Sequence, residues 1–362
     1  MEPWNLRRYT REIIAQSESP LQDASFLKEY FCGMLHGVED SYVKRSLAIQ
    51  ELALKNSSEA AFFSAASLGA GLVYEARRGG FDVEALESLV DMNKIATICI
   101  TEKKSGSHIL GIRSKAVREG SGWVIDAEKC YIGNAPIADY HGIFVKTSDK
   151  NDRNSLTCFL VPAQWPGVEV IEDEQRPGLP GFTMGLVRMS RCIIPDEFRI
   201  SSVGGGLELS HRAINRHGKP NIGSLALGVN ARILKDLKKY ASNRELYGKN
   251  LVDIQAVRGD LTGCYEEYLT ARVLMDSATH ALDEGSENAD VTLGLAKLKA
   301  AEAAVGAAIC SFHVVGAAAN EECQPFVGHL LDSLLALAPS GTSAVIRKRL
   351  YENLMDENEG EL

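Results

Sequence analysis

Three short segments of this sequence place hydroxyl, glycine and basic residues where they suit ligand binding. Thr101 and Ser107 flank Gly106, where small residues let the backbone approach a ligand closely and the hydroxyls can hydrogen-bond it. The planar guanidinium of Arg244 suits a diphosphate. His217 has a side chain whose ordinary pKa suits proton transfer. These residue types predict a site that binds a polar, phosphate-bearing ligand.

The elements that must position these residues fall into three zones of different periodicity. A helical zone is predicted for 1–95, a β-barrel-like domain for 96–202 and a helical bundle of four helices for 203–362, which makes the chain a multidomain α+β protein. The apolar positions of three C-terminal helices are predicted to form its core. They are Leu225, Val229, Ile233, Leu237 and Tyr240; Leu261, Tyr265, Leu269 and Val273; and Val291, Leu295, Leu298, Ala301, Val305, Ile309 and Phe312.

The composition excludes several classes of protein. A net charge of −9 over 362 residues disfavours nonspecific nucleic-acid binding, which needs a basic surface. The eight cysteines are scattered singly and the histidines are not clustered, so no metal site or disulfide framework is expected. The sequence has no run of about 18 apolar residues and no signal-peptide core, so a cytoplasmic protein without membrane contact is expected.

Five segments of the sequence resemble the motifs of the acyl-CoA dehydrogenase superfamily, in the same order over nearly the whole chain. Residues 98–108 are similar to its "TEPGAGSD" signature, and residues 122–134 to its "G-y-x-L-N-G-x-K-x-W-I-T-N" strand. Residues 240–248 resemble "Y-x-x-x-R-x-x-F-G", residues 313–319 occupy the place of "Q-x-x-G-G-x-G", and residues 339–343 match "Y-E-G-T-S".

The resemblance implies an FAD-dependent oxidoreductase with an N-terminal helical domain, a central β-domain and a C-terminal four-helix bundle. It implies cofactor contacts at Thr101, Ser107, Tyr131, Gly133, Arg244, Tyr247, His313 and Thr342. In the family the arginine reaches the FAD of a neighbouring subunit, which implies a homodimer or homotetramer. The implied substrate is an acyl thioester on coenzyme A or on an acyl carrier protein, and a specialised biosynthetic pathway is expected. The electron acceptor is left open.

The chain departs from the family at the catalytic base. Family members use a carboxylate to remove the α-proton of the thioester. The two family positions for that carboxylate hold Ser340 and Gly218 here, and a serine hydroxyl is a very weak base. His217 and Ser340 are therefore the candidate catalytic residues, with His217 as the proton acceptor, although His217 also fits a role as an ordinary residue at a helix start.

Three functions remain open on the sequence. The first is dehydrogenation of a thioester by an unconventional base. The second is flavin-dependent oxygenation, because Gly133 and Ser340 would leave room beside the flavin. The third is a noncatalytic binding protein.

Ser210, His211, His217 and Asp236 suggest a hydrolase triad, but no G-x-S-x-G segment accompanies them. Lys103, Lys104 and Lys219 either meet a phosphopantetheine or are solvated surface.

Overall fold

The computed structural model describes residues 41–81, 94–150, 152–173, 176–286 and 289–356. Helices, then a β-sheet, then helices follow one another along the chain, which confirms the predicted fold class. Most of the predicted N-terminal domain lies outside the described residues. Its described part is a pair of helices, α1 (Tyr42–Lys55) and α2 (Ser57–Arg78). Asn56 separates them and caps α2, since its side chain accepts hydrogen bonds from the Ser58 and Glu59 backbone amides.

A seven-stranded sheet forms the middle of the chain. Its strands are β1 (Ala96–Cys99), β2 (Lys115–Glu119), β3 (Gly122–Gly133), β4 (Tyr140–Lys146), β5 (Leu156–Pro162), β6 (Val168–Glu172) and β7 (Met184–Pro195). β4 pairs with β1 and β2 in parallel and with β5 in antiparallel register, while β3 joins β2 to β7 and β7 joins β6. Alternate apolar side chains of β3 and β7 fill the core on one face of this sheet.

The C-terminal helices are α3 (Gly206–Ala213), α4 (Lys219–Asn243), α5 (Gln255–Asp283), α6 (Ala289–Val315), α7 (Phe326–Leu335) and α8 (Ser343–Asp356). One turn of π-helix, Ile214–Gly218, joins α3 to α4. A short hairpin (Glu245–Leu246 with Lys249–Asn250) follows α4. The long helices α4, α5 and α6 pack together, and α1 packs against α4. The predicted core positions Leu225, Val229, Ile233 and Leu237 of α4 are all buried.

The prediction for α5 was wrong. Tyr265 is 52% exposed and Val273 65% exposed, so the stripe that contains them faces outward. α5 instead turns its Ala271, Met275 and Ala278 face toward α6 and α4. Small residues allow the helices to approach closely, and periodicity alone does not say which of two apolar faces is buried within one chain. On α6, Leu298 is buried as predicted, whereas other predicted positions such as Ile309 are exposed.

One stretch of the described chain, Ala289–Asn320, is long and apolar enough by length and composition to cross a membrane. In the structure this stretch contains α6, which packs between α4 and α5 and contacts α7 and α8. Its buried side chains include Lys297, whose ammonium group donates to backbone carbonyls of the α7–α8 connection. α6 is therefore the central helix of the bundle.

Candidate functional site

A cavity of about 670 Å³ lies where the sheet meets the helices. Its wall is mostly apolar, with side chains from α2, β1, α4 and α8, such as Leu68, Ile98, Leu225 and Ile346. Six of the residues predicted from the sequence lie on this wall: Thr101, Ser107, Tyr131, Gly133, Ser340 and Thr342. We call it the inner cavity. Three segments that are far apart in sequence therefore converge on one enclosed space.

A buried ion pair fixes the strand ends that carry the first of these residues. Glu102 accepts a hydrogen bond from the Lys129 ammonium group at 2.8 Å, and Lys129 also donates to the Ile100 carbonyl at 3.2 Å. Burial alone would raise the pKa of Glu102, but Lys129 and the hydrogen bonds from Ser114 and the Arg113 backbone outweigh it and lower that pKa. The pair ties residues 100–102 to β3. It thereby sets the distance between Thr101 and Tyr131.

The end of β3 has a conformation that depends on small residues. A β-bulge between Lys129 and Ile132 accompanies a left-handed φ of 59° at Tyr131. A β-carbon at Gly133 would lie 2.9 Å from the Phe182 ring and 3.2 Å from the Ala65 methyl. The space that a larger residue at Gly133 would occupy is thus filled by Phe182. It is not left open for oxygen or a bulky ring, as the oxygenase hypothesis expected.

The two family positions for the catalytic carboxylate face each other in the inner cavity. A β-carbon built on Gly218 would lie 2.6 Å from Ser340 Oγ. Ser340 and Gly341 have left-handed φ angles of 57° and 104°, and Lys297 holds their loop by donating to the Gly341 carbonyl at 2.8 Å. Among the described residues, no Asp or Glu side chain lines this cavity. Neither residue 218 nor residue 340 carries a carboxylate.

His217 lies behind this wall. It is fully buried, and its Nδ1 lies 3.2 Å from an Arg45 nitrogen while its Nε2 lies 3.5 Å from Glu75 Oε1. Burial lowers the pKa of His217 to about 4, with Arg45 acting in the same direction and Glu75 opposing it. The ring also packs closely on Gly71, and it lines neither of the cavities at this junction. This placement does not support His217 as the proton acceptor.

Arg244, Tyr247 and His313 lie on the surface at the other end of the bundle. Tyr247 is 86% exposed, and Arg244 and His313 are also exposed. Arg244 follows α4, a helix of 25 residues whose first residue lines the inner cavity. At a rise of ~1.5 Å per residue, roughly 37 Å separates the two helix ends. These three residues therefore do not reach the inner cavity within one chain.

Four basic residues on the wall were not predicted as catalytic or cofactor-binding residues: Arg176, His211, Lys219 and Arg349. Arg176 forms an ion pair with Asp173. The other three also line a second space of about 740 Å³, which we call the outer cavity. Lys219 follows the family base position directly, which is a signal in the sequence. No motif surrounds Arg349, which reaches the wall only because α8 packs on α6.

The wall fits a flavin and a thioester. Hydroxyls at Thr101, Ser107 and Thr342 are available on it, and Ser64 Oγ and Asn221 Oδ1 are buried there with no hydrogen-bond partner in the described parts of the chain. Buried polar atoms normally have partners, so these two oxygens suit the polar atoms of a ligand. Metal ligation has no comparable support, since the described ranges contain no group of three His, Cys, Asp or Glu side chains able to hold an ion.

Comparisons with known proteins agree with this geometry. Residues 97–192 match the model of the acyl-CoA dehydrogenase middle domain, and residues 204–355 match that of the acyl-CoA dehydrogenase C-terminal domain. Relatives include mitochondrial isobutyryl-CoA dehydrogenase from Dictyostelium discoideum, 26% identical over 88% of this chain and 76% of the relative. Another is L-prolyl-[peptidyl-carrier protein] dehydrogenase from Serratia sp. (strain ATCC 39006), 27% identical over 74% of this chain and 69% of the relative.

A solved structure, an FAD complex of PigA, has a TM-score of 0.84 and 23% identity, covering 97% of this chain and 96% of that one. At this identity the likeness shows the fold, and the two domain models show the relationship. The chain belongs to the acyl-CoA dehydrogenase family of FAD-dependent oxidoreductases.

Proposed function

We propose that this protein dehydrogenates the acyl group of a thioester carried on coenzyme A or on a carrier protein, with FAD as its cofactor. The observation that carries the proposal is the convergence of Thr101, Ser107, Tyr131 and Thr342 on one apolar cavity beside the Gly218–Ser340 contact. The relatives named above act on a coenzyme A thioester and on a carrier-protein thioester. Both carriers therefore enter the proposal, and a specialised biosynthetic pathway is its expected context.

The chain's own residues bind, orient and exclude water. Thr101, Ser107 and Thr342 would hold FAD, which when bound supplies the acceptor for the hydride that leaves the β-carbon. The apolar wall from α2 and α4 keeps water from the reacting carbons, which strengthens the electrostatic interactions inside the cavity. Lys297 holds the loop that carries Ser340 and Thr342. The substrate and cofactor are thus positioned by groups that are themselves fixed by the fold.

His211 is the proton acceptor in this proposal. It lines the inner cavity, and its Nε2 lies 3.5 Å from a guanidinium nitrogen of Arg349. Burial lowers the pKa of His211, and Arg349 and Lys219 lower it further. The imidazole is therefore neutral near pH 7. Because a guanidinium can only donate, Nε2 is the nitrogen without a hydrogen, and it would take the α-proton in place of the weak hydrogen bond from Arg349. An imidazole at this place would replace the carboxylate that residues 218 and 340 do not supply.

A homodimer or homotetramer is part of the proposal. Arg244, Tyr247 and His313 are exposed and roughly 37 Å from the inner cavity along α4, so they would contact FAD only across a subunit boundary. The outward stripe Tyr265, Leu269 and Val273 on α5 offers an apolar face for such contact. The cytoplasmic location expected from the sequence stays a prediction.

The identity of the product tests the proposed reaction. The FAD-loaded protein is incubated with a panel of saturated acyl thioesters and an artificial electron acceptor, and the products are identified by mass spectrometry. Loss of two hydrogens from the acyl group supports dehydrogenation. Gain of an oxygen atom, with oxygen consumption that needs an external reductant, would establish the oxygenase alternative instead. No change with any thioester, in a protein that holds FAD, would overturn the proposal.

A further inference from the structure

Lys219 is a buried cation at the junction of the two cavities. The residue is 4% exposed and lines both the inner and the outer cavity. In the described parts of the chain, no carboxylate lies within ion-pair distance of its ammonium group and no carbonyl accepts a hydrogen bond from it. Long charged side chains are almost never this buried unless they are paired. A group that is not part of this chain is the expected partner.

The neighbouring carboxylates are already engaged. Asp290 at the start of α6 accepts a hydrogen bond from the Asn215 amide at 2.6 Å, and Glu208 on α3 pairs with Arg212. Asp290 raises the pKa of Lys219, but burial and then Arg349 outweigh it and lower that pKa to about 8. Lys219 thus stays mostly charged at pH 7.

Arg349 supplies a second cation beside the first. It lines both cavities, and in the described part of the chain it makes no ion pair. Its guanidinium donates a weak hydrogen bond to His211 Nε2 at 3.5 Å. His211, Lys219 and Arg349 all line both cavities, and after burial the two cations also lower the pKa of His211. Two cations on the walls of the same cavities repel each other, so an anion bound between them would stabilise both.

We propose that Lys219 and Arg349 bind a carboxylate carried on the acyl group of the thioester, so that the substrate is the monothioester of a dicarboxylic acid. This inference rests on the proposed function and names its substrate class. Lys219 directly follows Gly218, which lies against Ser340, and Lys219 and Arg349 line the same cavity as these two residues, so the cation pair would lie beside an acyl group bound there. The phosphates of a coenzyme A or phosphopantetheine arm lie at the far end of a long chain from the thioester. An acyl-borne carboxylate therefore fits this place better than a phosphate.

The bound carboxylate has a consequence for His211. Arg349 and Lys219 lower its pKa in the free protein. A carboxylate between them offsets that effect and raises the pKa of His211, which makes the imidazole a stronger base when the substrate is present. The anion site and the proton acceptor would then act on the same substrate.

The test compares binding of two matched ligands to the FAD-loaded protein. The probes are α,β-unsaturated N-acetylcysteamine thioesters with four to six acyl carbons, each with a terminal carboxylate or with its methyl ester. They lack phosphate and cannot be dehydrogenated at the same bond again, so calorimetry measures binding alone. The wild type is expected to bind the acid about tenfold or more tightly than the ester. Lys219→Gln and Arg349→Gln should each abolish that preference, while Lys239→Gln, an exposed lysine on the same helix, should keep it.

The outcomes separate the inference from the function on which it rests. Equal binding of acid and ester to the wild type, or a preference that persists in both variants, would overturn the carboxylate site alone. A loss of coenzyme A thioester binding in Lys219→Gln, with the N-acetylcysteamine pair bound equally, would assign the site to a phosphate and also overturn it. Binding of neither probe to the wild type would overturn the thioester function as well. FAD content and melting temperature show that each variant is folded, and Arg349→Gln changes the less buried of the two positions.

Discussion

Gly218 and Ser340 meet so closely that a β-carbon added to Gly218 would lie 2.6 Å from Ser340 Oγ. In related enzymes one or the other position carries the carboxylate that removes the α-proton. In this chain both residues are small, and no described carboxylate lines the inner cavity beside them. Neither of these two positions can therefore supply a carboxylate base to the inner cavity.

Restoring the carboxylate should restore conventional chemistry. Ser340→Glu places an acid at the family position, and general-base catalysis typically contributes about 10²-fold or more. We expect faster anaerobic reduction of bound FAD by neutral acyl thioesters, measured by stopped-flow absorbance. Ser340→Gln has the same size without the charge and serves as the control. Equal rates in the two variants would show that this position no longer faces the reacting carbon.

Removing His211 should remove proton transfer. His211→Asn is expected to slow flavin reduction by about 10²-fold while FAD stays bound. In the wild type the neutral imidazole is the active form, and burial with Arg349 and Lys219 lowers its pKa below the ordinary 6.5. With neutral acyl thioesters, which leave the charges of Arg349 and Lys219 in place, the rate should thus rise with pH through a pKa below 6.5 and then level off. A pH profile that keeps this rise in His211→Asn would assign the proton to another group; His280→Asn, on the exposed part of α5, is the control.

Breaking the Glu102–Lys129 pair should loosen the strand ends that hold the cofactor. Lys129→Gln leaves the Glu102 carboxylate in a poorly solvated place without its cation, and loss of one partner of a buried pair costs about 3–5 kcal/mol. We expect a lower free energy of unfolding in urea and a lower FAD content after purification. Lys115→Gln, an exposed lysine on β2, should change neither. Unchanged stability in Lys129→Gln would mean that the pair does not fix this region.

Arg244 should contribute to FAD affinity only in an oligomer. Loss of a charge-assisted hydrogen bond to a diphosphate weakens binding by about tenfold or more. We expect Arg244→Gln to raise the dissociation constant of FAD by this factor, while Lys249→Gln in the adjacent hairpin has no such effect. Analytical ultracentrifugation checks the premise. A monomer that binds FAD as tightly as the wild type, with or without Arg244, would contradict a shared site.

The order of elements and the large sheet could be predicted from the sequence, because alternation and helical periods are local signals. Two features of the fold could not. The alternation of apolar residues predicts a strand only over 123–127, whereas β3 extends to Gly133, since its second half is held by pairing with β7 across a bulge. The outward face of α5 was predicted as core because Tyr265 and Val273 repeat at helical spacing, and only packing decides which face the bundle covers.

The site could be predicted only where a residue belongs to a motif. Six residues that were predicted from motifs line the cavity: Thr101, Ser107, Tyr131, Gly133, Ser340 and Thr342. The turn of π-helix before α4 directs His217 into the core between α1 and α2. No pattern in the sequence predicts this π-helical turn. Arg349 reaches the wall through contacts distant in sequence, which motif reading does not detect.

Anaerobic addition of acyl thioesters to the FAD-loaded protein, followed by visible absorbance, tests the central claim most directly. We predict that at least one thioester bleaches the flavin absorbance without oxygen, and that the bleaching coincides with formation of the α,β-unsaturated thioester. A flavin that stays oxidised with every thioester, neutral or carboxylate-bearing, and yet is reduced by an added chemical reductant would contradict dehydrogenation by this protein.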